Sequence, residues 1–280
     1  MAVFVIGAGQ MGAGIAQVAA QAGIETYLND ISEAYILKGI EKIRTLLEKN
    51  VAKGKISAGE KDRILSGIKP ALSLDDAKDC DLVIEAVIEK IELKQEIFSR
   101  LDKICKSETI LASNTSSLPI TEIAAATARP EKVIGMHFMQ PVPVMSLVEV
   151  IRGLATSDET FGSVEELSKK MGKVPVEVKD VPGFISNRVL QMMINEAIYC
   201  VYEGVASPEG IDEIMKRGMN HPMGPLQLAD FIGLDTVLYI METMYKGYCD
   251  SKYRPCPLLR QYVKAGWLGR KSGRGFYTYQ

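Results

Sequence analysis

The sequence lacks the residue patterns of metal sites, disulfide-rich folds and membrane proteins. Its 280 residues include two histidines and five cysteines, and no two cysteines form a C-x-x-C pair. We therefore expect free thiols and no metal ion. The apolar runs fall well short of the roughly 20 residues that span a bilayer, and no basic leader precedes the apolar stretch Val3–Ile6. These absences predict a cytoplasmic protein with no membrane partner.

A strong excess of one charge is also missing. The formal net charge at neutral pH is −2, which argues against a general nucleic-acid binder. The sequence has no internal repeat and no low-complexity segment. What it does have is a hydrophobic fraction of 47%, enough for the core of one large domain or of two smaller ones.

The first half of the chain alternates short apolar segments with amphipathic ones. The short segments are rich in β-branched residues, which is typical of buried parallel strands. We predict strands at Val3–Ile6, Thr26–Asn29, Leu82–Glu85, Thr109–Ala112, Val133–Met136, Leu147–Ile151 and Val174–Val178. One apolar helix face is predicted at Ile36, Ile40, Ile43 and Leu47. Thr156–Glu159 has the pattern of a capping box that opens another helix. This alternation predicts an α/β domain with a Rossmann-type doubly wound sheet.

The pattern changes at the turn-rich segment Asp180–Gly183. Beyond it helical periodicity dominates, and we predict helices at about 184–203, 208–217, 225–231 and 234–247. Ser207 and Pro208 supply a capping residue and a first-turn proline for the second of these. We therefore predict a Rossmann-type domain at 1–181 and an all-α domain at 182–280.

A glycine-rich turn follows the first predicted strand. The segment Gly7-Ala8-Gly9-Gln10-Met11-Gly12 fits the pattern G-x-G-x-x-G and opens a helical stretch. In a dinucleotide-binding βα turn, Gly7 would permit the tight bend, Gly9 the approach of the pyrophosphate and Gly12 close helix packing. The helix N-terminus would offer its N–H groups to the phosphates. A tight turn with no ligand is the alternative.

The nature of the dinucleotide depends on Asp30, which ends the second predicted strand, 18 residues after Gly12. An acid at this place accepts hydrogen bonds from the adenosine ribose and repels a 2′-phosphate, which favours NAD(H) over NADP(H). The same acid could instead cap the next helix. FAD would also fit the loop, whereas the P-loop pattern G-x-x-x-x-G-K-[ST] is absent.

Two titratable residues suit hydride-transfer chemistry. His137 follows the strand Val133–Met136, so we expect it at the carboxyl edge of the sheet, where open α/β sheets bind ligands. Glu149 lies on the next strand, where it could orient the imidazole ring and stabilise its protonated form. Such a pair can exchange a proton with a ketone or alcohol oxygen. A structural histidine bound to backbone is the competing interpretation.

Polar residues near two other predicted element ends are further candidates. The loop Asn114–Ser117 follows a strand and could bind a substrate oxygen or a nicotinamide, or could simply cap the helix after Pro119. Asn187 lies on the first helix of the second domain and could contact a ligand or solvent. A serine hydrolase is disfavoured because no G-x-S-x-G elbow occurs.

Taken together, these motifs resemble the short-chain L-3-hydroxyacyl-CoA dehydrogenases, and most closely the bacterial 3-hydroxybutyryl-CoA dehydrogenases. The resemblance runs along essentially the whole chain. It is carried by V-I-G-A-G-Q-M-G-A-G-I-A, A-S-N-T-S-S-L-P-I-T, V-I-G-M-H-F, L-V-E-V-I-R-G, P-G-F-I-S-N-R, N-H-P-M-G-P-L and G-W-L-G-R-K-S-G-R-G-F-Y.

The resemblance implies roles for individual residues. His137 is implied to be the general acid/base, with Glu149 as its partner. Ser116 and Asn187 are implied to hold the reacting oxygen and the thioester end of the substrate. The implied cofactor contacts are Gly7, Gly9, Gln10, Met11, Gly12, Asp30, Glu89, Lys94 and Asn114. Lys49 and Lys53 are implied to meet the adenine-end phosphates of CoA; a solvated helix face is their alternative.

The sequence departs from the usual family pattern between His137 and Glu149. Met139 and Gln140 stand where phenylalanine and asparagine are usual, and Ser146 where lysine is usual. These changes lie close to the implied reaction and bear on turnover and chain-length preference.

The resemblance implies an NAD(H)-dependent oxidoreductase that reduces acetoacetyl-CoA to 3-hydroxybutyryl-CoA, as a homodimer built through the second domain. One alternative is a dehydrogenase of a longer-chain acyl-CoA or of a free 3-hydroxy acid. Another is a non-catalytic NAD-binding or structural protein. The residues Met192, Met193, Ile194 and Ile198 are either an exposed dimer face or internal core.

Overall fold

The computed structural model describes residues 1–279, which form two compact units, one from Met1 to Asp180 and one from Val181 onward. The first unit contains a mostly parallel sheet with helices, and the second is helical. The predicted fold class, a Rossmann-type sheet followed by an all-α region, is confirmed. No helix within residues 1–279 is long and apolar enough to cross a membrane.

The sheet of the first unit has eight strands. They are β1 (Ala2–Ile6), β2 (Glu25–Asn29), β3 (Ile68–Ala71), β4 (Leu82–Glu85), β5 (Ile110–Ser113), β6 (Val133–Phe138), β7 (Leu147–Arg152) and β8 (Val174–Lys179). Their order is β3-β2-β1-β4-β5-β6-β7-β8. The first six strands follow the doubly wound order of Rossmann folds, whose ligand site lies where the strand order reverses, beside β1. All neighbours are parallel except β6 and β7.

Eleven α-helices lie in the described part of the chain. The first unit has α1 (Gln10–Gln21), α2 (Glu33–Ala52), α3 (Ala58–Ser66), α4 (Ile91–Ile104), α5 (Ile120–Ala124) and α6 (Asp158–Lys170). The second has α7 (Ser186–Tyr202), α8 (Pro208–Gly218), α9 (Pro225–Ile232), α10 (Leu234–Tyr248) and α11 (Pro257–Lys264). On α2, Ile36, Ile43 and Leu47 are buried and Ile40 packs partly buried against the same core. The predicted apolar face of this helix is therefore confirmed.

Several predicted elements need correction. The edge strand β3 was not predicted, because Pro70 and the exposed Lys69 interrupt its apolar pattern; an edge strand tolerates a proline. The helix α11 was also not predicted. The predicted strand Val133–Met136 extends to Phe138, so His137 lies inside β6.

Two local expectations are wrong for identifiable reasons. The predicted parallel arrangement fails at β7, which runs antiparallel to β6. The capping box predicted at Thr156–Glu159 is not formed: Ser157 alone caps α6, by accepting a hydrogen bond from the Thr160 N–H. The Thr156 hydroxyl instead donates to the carbonyl of Val133, so it is not available as a cap.

The core of the second unit is formed by α7, α9, α10 and α11. Ile194 and Ile198 are fully buried in this core, together with Leu226 and Leu234. For these two isoleucines the internal-core alternative is therefore correct. Met192 and Met193 are only half-buried.

Candidate active site

The glycine turn between β1 and α1 requires glycine at its two ends. Gly7 has a φ of +98°, and a Cβ there would meet the Ala86 carbonyl oxygen at 2.6 Å. A Cβ on Gly12 would lie 1.7 Å from the carbonyl oxygen of Gly7. Because backbone atoms cannot move aside cheaply, neither position can carry a side chain without shifting the turn.

Gly9 between them is different. It caps α1 without any side-chain hydrogen bond to the helix N-terminus, and a Cβ there would meet no atom within 4 Å. Gln10 and Met11 form the first turn of α1, where N–H groups lack intrahelical partners. The space at Gly9 and the N–H groups behind it fit a pyrophosphate, which draws on the positive end of the helix.

Asp30 follows β2 and reaches back to this turn. Its carboxylate accepts hydrogen bonds of 2.7 Å from the N–H groups of Ala8 and Ile31. A cavity of about 310 Å³ opens beside it, lined by Ala8, Gly9, Asp30, Tyr35, Lys38 and Lys42. A carboxylate beside a helix N-terminus in one cavity has the donor and acceptor set that fits the adenosine ribose and phosphates of a dinucleotide.

His137 and Glu149 face each other across the only antiparallel pair of the described sheet. They are direct register partners on β6 and β7. The Nδ1 atom of His137 lies 2.8 Å from Oε2 of Glu149, and the two residues are 9% and 2% exposed. Facing residues of antiparallel strands lie close enough for their side chains to meet. The buried carboxylate therefore sets the orientation of the imidazole ring.

The loop after β5 is tied to the same region. The Oδ1 atom of Asn114 accepts a 2.9 Å hydrogen bond from the N–H of Phe138, the residue after His137. The Ser116 N–H donates to Glu89 at 3.0 Å, and its hydroxyl lies 3.4 Å from the same carboxylate oxygen. The structure thus connects Asn114 to the strand of His137, and Ser116 to Glu89.

Glu89 and Lys94 belong to one charge network, in which Lys94 is buried and Glu89 is partly exposed. The ammonium of Lys94 lies 3.3 Å from Glu89 and 2.7 Å from Glu85, a residue that is completely buried. Burial raises the pKa of Glu89, but the Lys94 ammonium and hydrogen bonds from Thr115 and its neighbouring serines outweigh it, so the net pKa lies below the ordinary value. Glu89 is therefore held as a carboxylate.

Glu85 was not among the residues singled out from the sequence. It closes the buried strand Leu82–Glu85. A signal for it did exist, since a carboxylate at the end of an apolar, fully buried strand needs a partner to offset its desolvation. That partner, Lys94, lies nine residues further on in α4.

The two lysines implied in CoA binding are both exposed. Lys49 lies in the last turn of α2 and lines a surface cavity of about 390 Å³ with Lys38 and Lys42, two lysines that sequence reasoning missed. Lys53 is the residue after the end of α2, and its N–H donates to the carbonyl of Lys49, one turn earlier. Gly54 follows with a φ of +67° and ends the helical path there.

The connection between His137 and Glu149 is anchored by a buried lysine. The ammonium of Lys173 donates to the carbonyls of Val142 and Met145. Gln140, one of the departures from the family pattern, lines a cavity of about 420 Å³ that also contacts α1 and α2.

Asn187 is the second residue of α7 in the other unit, where it is half-buried.

Comparisons with known proteins agree with this geometry. The model of the 3-hydroxyacyl-CoA dehydrogenase NAD-binding domain matches residues 2–181, and that of the C-terminal domain matches residues 183–279. A probable 3-hydroxybutyryl-CoA dehydrogenase of Bacillus subtilis is 62% identical over 99% of this chain and 97% of that protein. The 3-hydroxybutyryl-CoA dehydrogenase of Bradyrhizobium diazoefficiens is 56% identical over 99% and 95%.

Solved structures give the same result. The (S)-3-hydroxybutyryl-CoA dehydrogenase of Ralstonia eutropha superposes with a TM-score of 0.98 at 52% identity, covering 100% of this chain and 99% of that one. The dinucleotide turn, the facing histidine and glutamate, and these matches along both units lead to one conclusion: the chain belongs to the 3-hydroxyacyl-CoA dehydrogenase family and uses NAD(H).

Proposed function

We propose that this protein is an (S)-3-hydroxybutyryl-CoA dehydrogenase, which reversibly reduces acetoacetyl-CoA with NADH. The observation that carries the proposal is the buried pair His137–Glu149, held in register on β6 and β7 with 2.8 Å between the ring nitrogen and the carboxylate. The names of the full-length relatives support the choice of substrate.

The chemistry divides between the cofactor and the protein. Bound NADH supplies the hydride that reduces C3 of the substrate. The protonated ring of His137 donates a proton to the ketone oxygen, and in the reverse direction it accepts the proton of the alcohol. The carboxylate of Glu149 fixes the orientation of the ring and stabilises its positive charge.

Other residues are assigned to binding. Ser116 and Asn187 orient the reacting oxygen and the thioester, which lowers the entropic part of the barrier. Glu89, Lys94 and Asn114 line the nicotinamide half of the cofactor site. The phosphates lie against Gly7, Gly9, Gln10, Met11 and Gly12, and Asp30 accepts hydrogen bonds from the adenosine ribose. Lys49 and Lys53 bind the adenine-end phosphates of CoA.

We further propose that residues 1–181 form the cofactor domain, and that residues 182–280 form a domain for substrate binding and homodimerisation. Large apolar side chains exposed in the second unit support this role. They include Val189 on α7, Ile214 on α8, Phe231 on α9 and Tyr239 on α10. Exposed apolar side chains of this size suit a protein interface.

The proposal is tested by following the loss of NADH absorbance with acetoacetyl-CoA. Wild-type protein should oxidise NADH, and His137→Gln should lower kcat by about 10²–10⁴, the usual contribution of one acid/base group. His221→Gln is the matched control, because His221 is the only other histidine of the chain and lies in the second unit.

Three outcomes would each overturn a part of the proposal. The assignment of His137 fails if His137→Gln keeps a near wild-type kcat. The substrate assignment fails if wild-type protein reduces free acetoacetate or a longer 3-oxoacyl-CoA with a higher kcat/KM than acetoacetyl-CoA. A protein that binds NADH and oxidises it with none of these substrates would be non-catalytic for this chemistry.

A further inference from the structure

Glu85 lies at the carboxyl end of β4, beside the cofactor turn, yet none of the roles proposed above includes it. Both of its carboxylate oxygens are occupied. Oε1 accepts 2.7 Å hydrogen bonds from the Lys94 ammonium and from the Val87 N–H, and Oε2 accepts one of 2.7 Å from the Ser113 hydroxyl. Glu85 is completely buried and Lys94 is 1% exposed.

A buried ion pair such as Glu85–Lys94 is by itself weak evidence for a role in stability. Removing two charges from water is costly, and well-packed apolar residues often stabilise a core as well as a buried ion pair does. At the carboxyl edge of the sheet, Glu85 pairs with Ile6, the residue before the cofactor turn, and with Ser113, which ends β5, while Lys94 reaches it from α4. The location therefore points to a role in the site.

The contacts of Glu85 lead to proposed active-site groups by two short routes. Lys94 also lies 3.3 Å from Glu89, which accepts hydrogen bonds from the Ser116 N–H and hydroxyl. Ser113 is the last residue of β5, and its hydroxyl accepts a hydrogen bond from the Thr115 N–H in the same loop. One carboxylate thus anchors both sides of the loop.

We infer that Glu85 is a positioning residue of the nicotinamide site, which holds Glu89 through Lys94 and the Ser116 loop through Ser113. The inference rests on the proposed function, which assigns Glu89 and Lys94 to the nicotinamide half of the cofactor. It also has an electrostatic consequence. Two carboxylates against one ammonium leave the network with a formal charge of −1, which favours the cationic nicotinamide of NAD⁺ over the neutral ring of NADH.

The test compares Glu85→Gln with wild type and with Glu92→Gln, a matched change at an exposed position of α4. Glu85→Gln preserves side-chain shape but removes the charge. We expect its kcat for acetoacetyl-CoA to fall on the order of 10²-fold, since small displacements of reacting groups are that costly. The ratio of the NAD⁺ and NADH dissociation constants, measured by fluorescence titration, should rise roughly tenfold. A purely structural role would leave that ratio unchanged.

A double variant tests the route through Lys94. If Glu85 acts in part through Lys94, the variant Glu85→Gln/Lys94→Gln should lose less kcat than the product of the two single losses, because residues of one network are not additive. Fully additive losses would overturn that route. A folded Glu85→Gln protein with wild-type kcat and an unchanged NAD⁺/NADH ratio would overturn the inference as a whole.

Two further arms keep the result interpretable. If Glu85→Gln does not fold, Ser113→Ala serves in its place, because it removes the hydrogen bond from Ser113 to Glu85 and leaves the Glu85–Lys94 ion pair intact. The kcat of Ser113→Ala should then fall below that of wild type. A wild-type kcat in this variant would overturn the inference. If wild-type protein fails to reduce acetoacetyl-CoA, the proposed function fails, whereas the NAD⁺/NADH binding ratio of Glu85→Gln still decides the role of Glu85.

Discussion

At the scale of single residues, Glu89 connects charge to stability. Its folded-state pKa lies below the ordinary value of 4.5. Burial alone would raise this pKa, but the Lys94 ammonium and the hydrogen bonds from the loop after β5 lower it by more than burial raises it. The folded state therefore binds this proton less readily than the unfolded state does. The resulting stabilisation is fully present above pH 4.5 and is lost as the pH falls through the folded-state pKa.

This predicts a pH-dependent effect of Glu89→Gln. At pH 7 the substitution should lower the free energy of unfolding by about 1–3 kcal/mol, because it removes a hydrogen-bonded charge beside Lys94. The difference from wild type should shrink as the pH falls below 4.5, since protonation then removes the same charge from the wild-type protein. Urea unfolding across this pH range measures it, with the exposed Glu96→Gln as control. A difference that stays constant from neutral to acid pH would contradict the prediction.

At the scale of secondary-structure elements, the turn from β1 to α1 contains one glycine that the fold requires and another that leaves space for a ligand. Gly12 is in contact with the backbone of Gly7, whereas nothing in the protein occupies the space beside Gly9. The two glycines therefore have different functions although they belong to one motif.

We expect Gly12→Ala to destabilise the protein by about 3 kcal/mol, because a Cβ at 1.7 Å from the Gly7 carbonyl oxygen forces the turn apart. Gly9→Ala should change stability by less than about 0.5 kcal/mol, but should raise the dissociation constant of NADH about tenfold or more, since the methyl group fills the space of the pyrophosphate. Urea unfolding and NADH fluorescence titration measure the two effects. Wild-type NADH affinity in Gly9→Ala would show that the phosphates do not bind at this turn.

The pair β6 and β7 shows a second effect at this scale. Their antiparallel pairing places His137 directly opposite Glu149, twelve residues further along the chain. A parallel neighbour would need a crossover connection of a dozen or more residues, usually a helix, so the short connection Met139–Ser146 and the histidine–carboxylate pair depend on the same reversal of direction.

At the scale of the whole molecule, the proposed homodimer makes a prediction about mass and surface. Light scattering on the protein as it elutes from a size-exclusion column should give a molar mass of about 61 kDa, twice the 30.7 kDa of one chain. Val189→Glu places a charge on a side chain of α7 that is 66% exposed, and it should shift the protein toward monomer because a buried unpaired charge is costly. Val174→Glu, on the exposed strand β8 of the first unit, is the matched control. A wild-type mass near 31 kDa would rule out the dimer under those conditions.

A feature of this protein could be predicted from the sequence when a short segment of the chain carries the signal for it. The glycine turn and Asp30 are predictable because a short residue pattern and the end of one strand mark them in the sequence. The family, the Rossmann-type fold and the use of NAD(H) were predicted and are confirmed. The strand β3 was missed because Lys69 and Pro70 interrupt its apolar pattern within four residues. The roles of the individual site residues stay predictions.

The sequence by itself determined the cofactor turn, the alternation of strands and helices, and the presence of a histidine and a glutamate on successive strands. These features follow from local periodicity and from glycine positions, both of which can be recognised in short segments of the sequence. Only the tertiary structure decided that β7 reverses direction, so that Glu149 meets His137, and that the carboxylate of Glu85 joins Lys94 and Ser113 in a buried network. Such contacts depend on the sheet order and on desolvation, which are properties of the folded chain as a whole.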